Sequence, residues 1–256
     1  MQNENEHTYD NGFHPKEVVL KPNYKFYNRN PFFLFFAWII LWLTRFWLII
    51  PRFLMGVRTI GRKNKRKVKG AIIISNHIHP LDAFFLAATF YFQKVYVTML
   101  QSNLGFGIVS KYWRLAAAVP IPTDRHLLRK FNRETEQILN KNKNILIYAE
   151  AALVPYCDHI RNFLPGAFHY AVVNDRPIIP CCFTFHKPKG IYKIIRRKKP
   201  RIHCNILEPY FIKHTDNRKY DIEKAKEDVH KIIHDYFIAN SDYYYKDGIK
   251  IEQEKN

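Results

Sequence analysis

The stretch "AIIISNHIHPLDAFFL", residues 71–86, decides how the chain is read. Four apolar residues, three of them β-branched, end abruptly at Ser75-Asn76. A short polar gap carrying His77, His79 and Asp82 follows, and an apolar run resumes after it. The first run has the composition of a buried strand, and the second begins with Pro80, which suits the first turn of a helix because its missing N–H costs nothing there. His77 is then a loop residue and Asp82 lies in the first helical turn. The chain folds back at that point, so the two side chains can meet. A carboxylate that accepts from one imidazole nitrogen fixes the tautomer and leaves the other nitrogen free as a base.

Outward from this point, strands and helices alternate. Apolar or β-branched runs predict strands at 71–75, 94–100, 118–123, 144–149, 177–185 and 202–207. Helical spacing predicts helices at 81–92, 126–141 and 220–239, the last through Ile222, Ala225, Val229, Ile232, Ile233 and Phe237. The pattern is that of one α/β domain, residues 61–256, with a mainly parallel or mixed sheet flanked by helices. Functional groups of such sheets gather at the carboxyl ends of the strands, where the 71–86 stretch turns.

Ahead of this domain, residues 1–30 read as an irregular arm without the basic start and short apolar core of a signal peptide. Residues 31–60 read as a membrane-associating segment built on "PFFLFFAWIILWLTRFWLIIP". Its length would span a bilayer, but Arg45 interrupts it, and an Arg at mid-bilayer costs roughly 2.5–3.5 kcal/mol. A helix or helical hairpin in one leaflet fits best and a spanning helix second. A buried core helix fits least, because Trp38, Trp42 and Trp47 have the character of interfacial anchors.

Lys and Arg number 41 against 22 Asp and Glu, a net charge of +19, which favours an anionic partner. The basic runs "RKNKRKVK" (62–69) and "RRKKPR" (196–201) suit nucleic acid or lipid headgroups. Beside an apolar membrane segment they read as contacts to an anionic membrane surface, and nucleic acid is disfavoured. The four cysteines, Cys157, Cys181, Cys182 and Cys204, lack paired metal-ligand spacing and read as buried reduced thiols of a cytosol-facing protein.

"NHIHPLD" resembles the first signature of the glycerolipid acyltransferases typified by lysophosphatidate acyltransferase: Asn-His, four residues, then Asp. "VPIPTDR" (119–125) resembles the second block and "ILIYAEAALVPYCDHIRNFLPGAFHYAV" (145–172) the third, with Glu150, Phe163, Gly166 and Ala167 matching. "PIIPCCF" (177–183) resembles the fourth, with Pro180 closing a strand. The four blocks stand in order over roughly residues 70–185.

The resemblance implies acyl transfer from an acyl thioester, acyl-CoA or acyl-carrier protein, to a hydroxyl of a lysophospholipid. The thioester is a co-substrate; no cofactor and no metal is implied. His77 is implied as general base and Asp82 as its partner. Arg125 is implied on the acceptor's phosphate, Glu150 on acceptor hydroxyls, and Gly166 at the substrate site. The implied enzyme is membrane-associated with its site facing the cytoplasm. The chain departs from the pattern after Glu150, where Ala151-Ala152-Leu153 replace Gly-Thr-Arg, and at Pro165, where a Lys is common. The lost Arg is a bidentate phosphate ligand, for which Arg161 or His159 are candidate substitutes. Two rival readings compete: a metal-dependent hydrolase using His77 and His79 as ligands, and a membrane-binding protein disabled around Ala151.

Overall fold

The computed structural model describes residues 15–90 and 93–243. Among these residues, two short 3-10 turns aside, the α-helices and strands are α1 (Pro31–Trp47), α2 (Ile49–Leu54), β1 (Arg58–Ile60), β2 (Ile72–Ser75), α3 (Asp82–Thr89), β3 (Val95–Leu100), α4 (Ile108–Leu115), β4 (Ala118–Ile121), α5 (Arg125–Asn140), β5 (Asn144–Ile147), α6 (Gly166–Val173), β6 (Ile178–His186), α7 (Tyr192–Ile195), β7 (Arg201–Ile206) and α8 (Arg218–Asn240).

The seven strands form one sheet in the order β1-β7-β6-β2-β5-β3-β4. β6 and β7 pair antiparallel and all other neighbours pair parallel, so the sheet is mixed, as expected. β2 and β5 lie side by side at its centre and are buried along their whole length. Their continuous Ile and Leu runs, 72–74 and 145–147, are what a strand covered on both faces requires.

Connection direction sets the layers. The chain leaves β2 towards β3 and β4 in one direction along the sheet, and leaves β4 and β5 towards β6 in the other. Right-handed crossovers therefore put α3 and α4 on one face and α5 and α6 on the opposite face. α8 joins the second group, burying Ala225, Val229, Ile233 and Phe237 against β6 and α6. Because connections leave β2 and β5 to opposite sides, the boundary between them is a topological switch point, where a crevice opens at the carboxyl ends.

Several local readings change. Residues 58–60, placed with the membrane segment, are instead the edge strand β1, paired with β7. α3 starts one residue later than expected: Pro80 is the second residue of a turn closed by the Asp82 N–H on the His79 carbonyl at 2.9 Å. The expected helix end at 91–92 lies outside the described residues. Pro180 does not close a strand. It sits inside β6, just before the antiparallel ladder to β7 begins at Cys181, where a missing N–H is tolerated. Residues 15–30, the described part of the arm, carry no helix or strand, yet they pack: Phe26 and Tyr27 are buried, and the Tyr27 hydroxyl meets Thr135 at 3.0 Å.

α1 and α2 form nearly one continuous helix, nicked at Leu48, not a hairpin. Pro51 supplies no N–H to the carbonyl four residues back, which accounts for the nick. Residues 31–54 are long and apolar enough to cross a membrane. Phe32, Phe35, Phe36, Trp38, Phe46 and Trp47 are exposed, which is the opposite of a core helix. The inner side is held by buried Ala37 and Leu48 and by a 2.8 Å hydrogen bond between the Thr44 and Tyr112 hydroxyls.

Candidate active site

The loops leaving β2 and β5 meet at the switch point. Asn76 anchors the first loop: its side chain donates to the Phe183 carbonyl at 3.0 Å and accepts from the Phe183 N–H at 2.8 Å. The main chain is thereby tied to β6 before it turns through His77. From the second loop, the N–H groups of Val154 and Tyr156 donate to the carbonyls of His77 and Ile78 at 3.3 and 2.9 Å.

Asp82, at the start of α3, points back under this loop. Its Oδ2 lies 2.9 Å from His77 Nδ1 and accepts the N–H groups of Ile78 at 2.9 Å and His79 at 3.2 Å. Its Oδ1 accepts the Tyr148 hydroxyl at 2.8 Å. The Asp82 side chain is 1% exposed and His77 20% exposed. Three donors besides the imidazole satisfy the oxygens of the buried carboxylate. A carboxylate oxygen accepts, so its place beside Nδ1 selects the tautomer with the proton on Nδ1 and leaves Nε2 with a lone pair. The His77 ring lies flat on Tyr148, centroids 3.9 Å apart and planes 15° from parallel. Burial and then Asp82 push the Tyr148 phenol well above its ordinary value, so it stays a donor.

Behind the dyad, Glu150 and Arg161 form an ion pair at 2.8 Å, with side chains 1% and 0% exposed. Glu150 also accepts the His77 N–H at 3.1 Å and the Arg161 N–H at 3.2 Å, and Arg161 donates to the Ala152 carbonyl. Burial raises the Glu150 carboxyl above its ordinary value, outweighing the downward pull of Arg161 and these N–H groups. Every partner of Glu150 named here is a donor, an arrangement suited to the ionised form.

The structure brings together His77, Asp82, Glu150 and Arg161. Arg161 is not placed as a substitute phosphate ligand: its guanidinium is enclosed and spans Glu150 and Ala152. Glu150 is likewise buried rather than facing a crevice. Arg125 is exposed at the first turn of α5, whose cap, Asp124, accepts from His126 and Leu127. It follows β4, three strands from β2, about 14 Å along the sheet at the usual spacing. Gly166 opens α6 with free space where a side chain would stand. No hydrogen bond among the described residues ties Arg125 or Gly166 to the cluster. Tyr148 was not foreseen, since nothing in an apolar strand's tyrosine marks it as the donor to a carboxylate 66 positions earlier.

His79 does not share a ligand position with His77. Its Nδ1 accepts the Leu81 N–H at 3.1 Å, and its ring packs near Phe85 and Tyr156. Burial lowers its proton affinity. Among the described residues, the group close enough to hold an ion is Cys157, Asp158 and His159, in which neither His77 nor His79 takes part.

Ala151, standing where the resembled family has Gly, has φ +62°. A left-handed Ala costs about 1–2 kcal/mol. Ala151→Gly is therefore expected to stabilise the fold by roughly 0.5–1 kcal/mol after the greater unfolded-state freedom of Gly is deducted. Thermal unfolding would show this as a melting temperature raised by about 2 °C, whereas a lowered one would refute local strain here.

A cavity of about 690 Å³ lies between α1 and the sheet, lined by residues that include Trp38, Trp42, Ala83, Phe84, Ala87 and Val97. His77 does not line it. The cavity reaches the dyad's helix at Ala83, the neighbour of Asp82, and runs away from the dyad along α3.

The acyltransferase family model matches residues 56–184. No curated protein matches the chain. A similar solved structure is the 1-acyl-sn-glycerophosphate (LPA) acyltransferase PlsC from Thermotoga maritima, at 17% identity and a TM-score of 0.45, covering 80% of this chain and 96% of that one.

Proposed function

The chain belongs to the acyltransferase family, and from that premise we propose that it carries a fatty acyl group from acyl-CoA or acyl-carrier protein to a hydroxyl of a lysophospholipid such as 1-acylglycerol-3-phosphate. The observation that carries this reading is the 2.9 Å contact between His77 Nδ1 and a carboxylate whose other lone pairs are already satisfied. His77 Nε2 takes the proton of the acceptor hydroxyl as its oxygen attacks the thioester carbonyl. Asp82 stabilises the imidazolium that forms. The tetrahedral intermediate expels the thiolate, which recovers the proton from His77, giving ester and free thiol. General-base help of this kind is worth roughly 10²–10⁴-fold. The apolar cavity starting at Ala83 suits a fatty acyl chain. Glu150 and Arg161 act in this reading as a positioning pair that holds the backbone of His77.

The exposed apolar face of α1 and α2 supports seating in one leaflet of an anionic membrane. Free, buried thiols are in keeping with a site on the cytoplasmic side.

Loss of the family's Arg after Glu150, and enclosure of Arg161, leave the acceptor's phosphate with weakened recognition. Transfer from a radiolabelled acyl thioester to a panel of lyso-lipids tests this. Lysophosphatidate and lysophosphatidylcholine are expected to differ by no more than about tenfold in kcat/KM, the worth of roughly 1.4 kcal/mol. A lysophosphatidate preference of several hundredfold would contradict relaxed selectivity. Absence of transfer to every lyso-lipid would contradict the proposed acceptor class.

A further inference from the structure

We propose that the β6–β7 connection, led by α7, is a second membrane footing that places Ile191 and Ile194 in the surface of an anionic bilayer beside α2. This rests on the membrane reading above and adds a site of contact remote in sequence from the apolar segment. From Lys187 to Arg201 inclusive the chain carries eight Lys or Arg and no acidic residue. At the centre of this basic stretch Ile191, the N-cap of α7, is 57% exposed and Ile194, within it, 76%; they stand three positions apart in one helical turn and so on one side of it. Solvated basic loops have no need of two exposed isoleucines; an anionic interface uses both features, apolar groups entering the acyl boundary while cations meet the headgroups.

The patch continues the apolar surface of α2. Tyr192 packs against Phe53, ring centroids 6.1 Å apart, with the Arg201 guanidinium 5.7 Å from the Tyr192 ring. Phe53, Ile49, Ile50 and Leu54 are themselves exposed. The footing also lies at the carboxyl end of the sheet, where the dyad sits, because β6 runs parallel to β2 and its carboxyl end opens the connection. Arg196 donates to the Tyr156 hydroxyl at 3.2 Å, and the Tyr156 N–H donates to the Ile78 carbonyl at 2.9 Å. Docking of α7 thereby fixes the height of the His77 loop relative to the headgroups.

The test uses the full chain. Its native cysteines are buried, so Ile194→Cys carries an environment-sensitive fluorophore selectively. Lys231→Cys on α8, exposed and across the sheet, serves as control. With phosphatidylcholine–phosphatidylserine vesicles the probe at 194 is expected to shift to the blue and the probe at 231 to stay unchanged. Arg197→Gln and Lys198→Gln are each expected to weaken binding to these vesicles about fivefold. Protein that floats with vesicles while the probe at 194 stays unshifted would overturn the second footing and leave the membrane reading standing. Protein that does not float would overturn both. A shift produced by duplex DNA and not by vesicles would assign the patch to nucleic acid and overturn the proposal.

Discussion

Arg161→Met is expected to destabilise the fold by about 3–5 kcal/mol, because it leaves the Glu150 carboxylate buried without its counter-charge. Glu150 is 1% exposed and cannot turn to water. The two backbone N–H groups that remain on it hold it in place but do not neutralise it. Burial already pushes its carboxyl up, and Arg161 is the strongest influence pulling it down. Without Arg161 the folded-state value lies well above the unfolded one. Such a group contributes stability below its unfolded value and loses it as pH rises through the folded one. The deficit of the variant is therefore smallest in acid and grows towards neutrality. Denaturant unfolding at a series of pH values measures this directly. Glu150→Gln/Arg161→Met should recover part of the loss, since no charge is then left buried. A pH-independent deficit below about 1 kcal/mol would show that the pair is not coupled as described.

How much of this was readable beforehand depended on sequence distance. The strands of the sheet announced themselves through apolar runs such as 72–75 and 144–147, and the long helices α5 and α8 through regular spacing. α6 went unread because the outward face of "GAFHYAVV" is Gly166, His169 and Val173, too short and too weakly polar a stripe to mark a helix. β1 is three residues long and abuts a greasy segment, so its pairing with a strand over 140 positions later left no local trace.

The site divides in the same way. His77 and Asp82 are five positions apart across a tight turn, and their contact follows from local geometry. Arg161 was legible as a charge but not as a buried one. Arginine is ordinarily a surface residue, and only the fold reveals that the 150–161 loop closes on itself through Glu150. Ala151 was legible as a departure from Gly, and the positive φ it retains shows that the backbone kept a shape the side chain resists.

The central claim is that Nε2 of His77, set up by Asp82 on Nδ1, removes the proton from the acceptor. His77→Ala removes that base but leaves its surroundings largely in place, because the His77 N–H and carbonyl still bond to Glu150 and Val154. Fold and membrane seating should therefore survive, and the rate alone should fall, by roughly 10²–10⁴-fold. His79→Ala, which removes a ring already occupied by the Leu81 N–H, should keep turnover near the wild-type level. The decisive measurement is labelled acyl transfer by wild type and His77→Ala at equal vesicle-bound protein. A loss in kcat of at least a hundredfold with unchanged binding is the predicted result. Turnover within a few-fold of wild type would contradict the account.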